Sequence, residues 1–179
     1  MAYGLRFTVI ILAAIGLTSK AQNNQFIPCP EKEPVWNFNM TKLLGQWYLT
    51  ELCINTESAD GYKCTDMEFT REGQKYGVTV SQNNSKWNGD VDFINSEDVG
   101  YLRVQVPILL GLDIRNYYIL DTDYVTYAAF WTCYNDGHTR EGDVYVRDLK
   151  RKKNPSYSAL KEFEKQGSNL SHCRPCTRF

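Results

Sequence analysis

Between residues 43 and 147 the chain is cut at short intervals by turn signals, and each stretch between cuts has the make-up of a β-strand. The stretches are 43–54, 62–71, 76–81, 87–94, 101–106, 114–120, 124–133 and 139–147, rich in Val, Ile, Tyr and Thr. The cuts are Asp60-Gly61, Glu72-Gly73, Asn83-Asn84, Pro107, the polar turn Asp121-Thr122-Asp123 and the hairpin signal Asn135-Asp136-Gly137. Asn88-Gly89 falls inside a stretch and reads as a turn or a bulge. Eight short strands at this spacing point to an antiparallel sandwich or barrel.

Past residue 147 the pattern changes. Residues 150–153 are a basic run, and Asn154-Pro155-Ser156 is a helix-start signal. Leu160 and Phe163 then stand among charged neighbours until Gly167, so one amphipathic helix is expected over about 155–167. The tail, 168–179, reads as loop and carries Cys173 and Cys176. No internal repeat or low-complexity linker breaks residues 22–179, so they are expected to form a single domain.

Residues 1–21 read as a secretory signal. Arg6 supplies a positive start, 7–17 is an apolar run broken by Thr8 and Gly16, and Ser19-Lys20-Ala21 has small residues where cleavage needs them. The run is shorter than the roughly 20 residues that span a bilayer. No later stretch is long and apolar enough, so no integral membrane segment is expected after cleavage. The remaining 158 residues would carry 18 basic and 21 acidic side chains, and a secreted, extracellular protein is expected. That balance argues against a nucleic-acid partner, which needs a clustered positive field. Six cysteines, an even number, suit a disulfide framework in an oxidising compartment. Three sequons, at Asn39, Asn83 and Asn169, are candidate glycosylation sites.

Three motifs stand in order on this frame. Gly45-Gln46-Trp47 opens the first strand, Thr122-Asp123-Tyr124 turns between two late strands, and Arg147 closes the last strand before the helix. Together they resemble the lipocalin family over roughly residues 29–176. The resemblance implies an all-β fold: an eight-stranded antiparallel up-and-down barrel with one C-terminal α-helix. The physics of the motifs suits that fold. Trp47 is a large apolar disc able to plug one end, and Arg147 can lie on its face and donate to nearby carbonyls. Gly45 lets the chain pass close to the floor. Asp121 and Asp123 can accept backbone N–H bonds in their turn. These roles are structural, not catalytic.

The cysteine placement looks like the apolipoprotein D and insect bilin-binding branch, in which the N-terminal segment and the tail are each tied to the barrel. That resemblance pairs Cys29 with Cys133 and Cys64 with Cys173, leaving Cys53 for Cys176. A bridge between 29 and 133 would close a loop of about 105 residues, worth on the order of 4–5 kcal/mol if it acts by restricting the unfolded chain.

Side chains alternate along a strand. If Trp47 faces inward, so do Leu49, Glu51 and Cys53; if Arg147 does, so do Tyr145 and Asp143. By the resemblance, Thr126, Ala128 and Phe130 face inward beside Tyr124, joined by Tyr117 and Ile119. The expected ligand-contacting set is Leu49, Glu51, Tyr117, Ile119, Ala128, Phe130 and Tyr145: a cup for a small hydrophobic ligand with a polar end. The alternative is a filled core. Val125, Tyr127, Ala129 and Trp131 make the other face of 124–133 apolar as well, so a slip of one residue would exchange every inward residue for its neighbour.

Three functions follow. The first is a secreted carrier of a lipid, retinoid, sterol or bilin-like molecule. The second is a lipocalin acting through an extracellular protein partner, such as a protease or clotting factor, with 55–61 and 150–153 as candidate contacts. The third is an enzyme with Cys53 or Cys64 as a cavity thiol, which an even cysteine count disfavours. His138 in a hairpin turn and His172 in the tail are the only histidines, and neither is placed to bind haem or complete a serine triad. His172-Cys173 with Cys176 makes at most half a zinc site. No enzyme activity, cofactor or metal is expected.

Overall fold

The computed structural model describes residues 29–55, 64–109, 111–134, 140–147, 155–167, 170 and 172–176. The signal-like segment, Asn169, His138, the basic run 150–153 and residues 56–61 lie outside them. The elements in chain order are α1 (Met40–Leu43), β1 (Gly45–Ile54), β2 (Thr65–Glu72), β3 (Lys75–Gln82), β4 (Ser85–Phe93), β5 (Tyr101–Ile108), β6 (Gly111–Thr122), β7 (Tyr127–Cys133), β8 (Arg140–Val146), α2 (Pro155–Lys165) and β9 (His172–Pro175).

Strands β2 through β8 pair antiparallel with their sequence neighbours, β8 pairs with β1, and β1 pairs back to β2. The result is a closed eight-stranded antiparallel barrel, the architecture that removes sheet edges. The eight expected strands are these eight. Asn88-Gly89 lies within β4 and is not a turn: a Cβ on Gly89 would collide with the Gln105 carbonyl of β5, so only glycine lets the two strands approach there.

Two local expectations are corrected. The seventh strand begins at Tyr127, not at 124. The Asp123 carboxylate accepts from the amides of Val125, Thr126 and Tyr127 at 2.9, 2.7 and 3.1 Å, which winds 124–126 into a turn, with Tyr124 at φ 59°. The tail is not all loop, because its residues 172–175 form β9. Strand β1 pairs with β2 only through Gly45, Gln46 and Trp47. Its upper edge is left open there, and β9 takes it from Glu51 to Ile54.

That pairing also corrects two disulfides. Cys29–Cys133 is as expected, but the others are Cys53–Cys173 and Cys64–Cys176. Cys173 is the direct cross-strand partner of Cys53. Cys176 lies past that ladder, its amide 2.7 Å from the Thr50 carbonyl, and reaches Cys64 just before β2. The tail is thus stapled to both sides of the gap between β1 and β2.

Helix α2 packs on the outside of the barrel. Ala159 and Phe163 are buried against Leu120, Ala129, Trp131 and Val144. These four are the outward residues of β6, β7 and β8, so both faces of these strands are covered, and α2 supplies the outer cover. Gly167 ends the helix region at φ 61°. Among the described residues no helix is long and apolar enough to cross a membrane.

Candidate functional site: a cavity above a sealed floor

One end of the barrel is closed by a compact set of contacts. Trp47 is fully buried and its Nε1 donates to the Leu43 carbonyl at 2.6 Å. The Arg147 guanidinium lies 4.2 Å from the Trp47 ring centroid. It donates to three carbonyls: Leu44 at 2.7 Å, Lys42 at 2.5 Å and Tyr124 at 3.0 Å. Gly45 sits at φ 102°, and a Cβ there would lie 3.0 Å from Arg147 Nη1. Thr122 Oγ1 accepts from the Tyr124 amide at 3.0 Å and donates to the Tyr127 carbonyl at 2.7 Å. Tyr124 in turn receives the Asn39 amide on its hydroxyl at 3.1 Å. The motif residues Gly45, Trp47, Thr122, Asp123, Tyr124 and Arg147 therefore meet in one place. The incoming segment joins them, with the Val35 amide on Ile119 O and the Phe38 amide on Asp98 O, both at 2.8 Å.

Above this floor the barrel holds a cavity of about 560 Å³. Its apolar wall comes from Leu49 and Leu52 of β1, Met67 of β2, Val80 of β3, Trp87 of β4 and Val104 and Val106 of β5. Ile108 and Leu109 stand at the rim. The opposite wall is polar: Asp113, Arg115 and Tyr117 of β6 face Glu141, Asp143 and Tyr145 of β8. The volume lies within the range of small-molecule sites, and the mixture of apolar wall and few polar groups is what such sites show.

The expected contact residues divide. Leu49, Tyr117 and Tyr145 line the cavity. Ile119, Ala128 and Phe130 face inward but belong to the packed core, where Phe130 contacts the rings of Phe69, Tyr117 and Tyr145. Glu51 does not line it. The register of β1 against β8 slips between Leu49 and Glu51, so Thr50 is an extra residue. A bulge of one residue reverses every side chain beyond it. Leu52 turns inward, while Glu51 and Cys53 turn to the outer side, where the Glu51 carboxylate lies within 4.8 Å of the sulfurs of the Cys53–Cys173 bridge.

The carboxylate that shares the cavity with Asp143 is Glu141, which the sequence reading missed. Glu141 and Asp143 are both buried. Tyr134 relays between Arg115 and Glu141, receiving Arg115 Nη1 at 2.9 Å and donating to Glu141 Oε2 at 2.5 Å. Arg115 also meets Asp113 at 3.1 Å and Glu141 at 3.8 Å. Asp143 stands beside Glu141 and Tyr145 on the inner face of β8, and its Oδ1 has no hydrogen-bond partner. Burial, reinforced by the nearby charge of Glu141, pushes the Asp143 carboxyl well above the usual carboxylate range. Burial likewise raises the Tyr117 and Tyr145 hydroxyls. All six cysteines are in disulfides, so neither Cys53 nor Cys64 offers a thiol nucleophile.

A family model, the lipocalin / cytosolic fatty-acid binding protein family, matches residues 44–170, which contain the whole barrel. The chain belongs to this family. Among curated relatives, this lipocalin is 24% identical over 174 residues to the Lazarillo protein of Schistocerca americana, covering 93% of this chain and 79% of that one. It is 25% identical over 132 residues to apolipoprotein D of Cavia porcellus, covering 70% and 67%. The structure of the amine-binding protein of Rhodnius prolixus in complex with tryptamine shares the fold, with a TM-score of 0.67 at 18% identity over 83% and 86% of the two chains. The resemblance to the apolipoprotein D branch read from the motifs and cysteines is thus met in the relatives.

Proposed function

We propose that this lipocalin is secreted and carries a small hydrophobic molecule in its barrel, binding by burial and not by chemistry. The observation that carries the reading is the cavity of about 560 Å³, walled mainly by apolar side chains above a sealed floor. Three disulfides support an oxidising, extracellular setting. Exposed side chains at Asn39 and Asn83 suit glycans there. In the Rhodnius prolixus protein the same fold holds tryptamine. The test is titration with retinoids, fatty acids, sterols, bilins and arylalkylamines, read through quenching of Trp87 on the cavity wall. Saturable quenching that is lost when Leu49→Trp and Val104→Trp fill the cavity is the expected result. No saturable binding by any class would overturn the reading.

A second reading, action on an extracellular protein, draws on one observation. Ile108, Leu109, Leu112 and Ile114 of the β5–β6 hairpin are exposed together beside the cavity mouth. Clustered apolar exposure of this kind marks contact surfaces. Recovery of a defined extracellular partner that is lost on Leu109→Ser with Leu112→Ser, while ligand binding persists, would favour it.

A further inference from the structure

The polar wall of the cavity is acidic, and its charges are not evenly matched. Three carboxyl groups, Asp113, Glu141 and Asp143, share the lining with Arg115, its one basic side chain among the described residues. Arg115 is already committed. It is bonded to Asp113 and Tyr134, and through Tyr134 and a 3.8 Å approach it also serves Glu141. Asp143 is left without a cation of its own. It is 2% exposed, projects from β8 into the cavity, and keeps Oδ1 unbonded. A buried acceptor without a partner is costly unless something arrives to satisfy it. The neighbours of Asp143 across β1 and β7 are Leu52 and Phe130, which offer no donor.

Resting on the carrier reading, we propose that the molecule carried is an organic cation, an apolar body ending in a protonated amine, and that the amine docks on Asp143 with Glu141 beside it. A protonated amine supplies both missing parts: N–H donors for Oδ1 and a positive charge facing two carboxyl groups. Such charge-assisted bonds are the strong ones in a low-dielectric site. The apolar body then lies against Leu49, Met67 and Val104. The same wall discriminates against a fatty acid, whose carboxylate would face Glu141 and Asp143 with Arg115 already engaged.

The arrangement also fixes a proton balance. Burial, with the charge of Glu141 nearby, pushes the Asp143 carboxyl well above the usual carboxylate range and so favours its protonated form in the empty cavity. Among the described residues, the titratable groups near Asp143 are Glu141 and Tyr145 on β8, with Arg115 and Tyr117 on β6. When the amine arrives already protonated, its charge favours the ionised Asp143 carboxylate, and the Asp143 proton leaves to solvent.

The experiment compares decylamine, decanol and decanoic acid, which share one apolar chain and differ in the head, on the full chain with its disulfides formed. Decylamine is expected to bind about tenfold or more tighter than decanol, the usual gain from a charge-assisted bond, with decanoic acid weakest. Asp143→Asn should remove the preference for the amine, so that decylamine and decanol bind the variant alike. Calorimetry of the unsubstituted protein in two buffers of different ionisation enthalpy should show proton release with decylamine and none with decanol; this holds whether or not the variant folds. Tighter binding of decanol or decanoic acid than of decylamine, or an amine preference that survives Asp143→Asn in a folded variant, would overturn the cation assignment and leave the carrier reading standing. Binding of none of the three, nor of the wider ligand panel, would overturn both.

Discussion

The two halves of this barrel are built on opposite principles. At the closed end nearly every polar group is matched. Arg147 gives its donors to three carbonyls, Trp47 Nε1 has Leu43 O, and Asp123 takes three amides. In the upper half a buried carboxyl keeps an oxygen unpaired, and large apolar side chains at the rim stay exposed. The floor is organised for stability and the hollow above it for a visitor. The motif that identifies the family lies wholly in the first half, so it defines the fold while leaving the ligand open.

The contrast is broken most severely from below. Trp47→Ala should cost about 3–5 kcal/mol, the range for removing a buried aromatic, measured by urea unfolding. A loss under 1 kcal/mol would show that Trp47 is not the plug. Removing the staple by Cys53→Ala with Cys173→Ala should cost about 2–4 kcal/mol, read the same way. Gly45→Ala, which forces a Cβ toward Arg147 at a φ unsuited to alanine, should cost about 1–3 kcal/mol.

The upper half should answer in the other direction. Asp143 is raised in the folded state by burial, so the native protein holds its proton above the pH at which the unfolded chain, near 3.9, has lost it. Its contribution to stability therefore falls as pH rises through that window. Asp143→Asn removes the fall. Relative to the unsubstituted protein the variant should gain stability between pH 4 and neutrality, as read from unfolding at several pH values. A variant that loses stability on that scale would mean that Asp143 supports the fold as the floor residues do.

The strands and the floor were legible because turn residues and a few motif side chains announce them. The helix was legible from Leu160, Phe163 and Gly167. The bulges at Thr50 and Leu120 were not, since an extra residue leaves no mark in composition, and the first of them carried Glu51 to the wrong face. Glu141 was within reach: the alternation that brings Tyr145 and Asp143 inward also brings in the residue two before. The same step from Tyr117 reaches Arg115 and Asp113. The wall formed by Met67, Val80 and Val104 had no motif to set its phase. Two of the disulfides were misread because a tail that scans as loop forms β9, and only the β1–β9 register sets Cys173 beside Cys53.

Ligand carriage requires a real hollow above the indole and guanidinium. Crystals under xenon pressure test it without any assumption about the ligand, because xenon enters apolar cavities. The account predicts xenon bound among Leu49, Met67, Val104 and Tyr145. A barrel whose side chains fill that space and exclude xenon would contradict it.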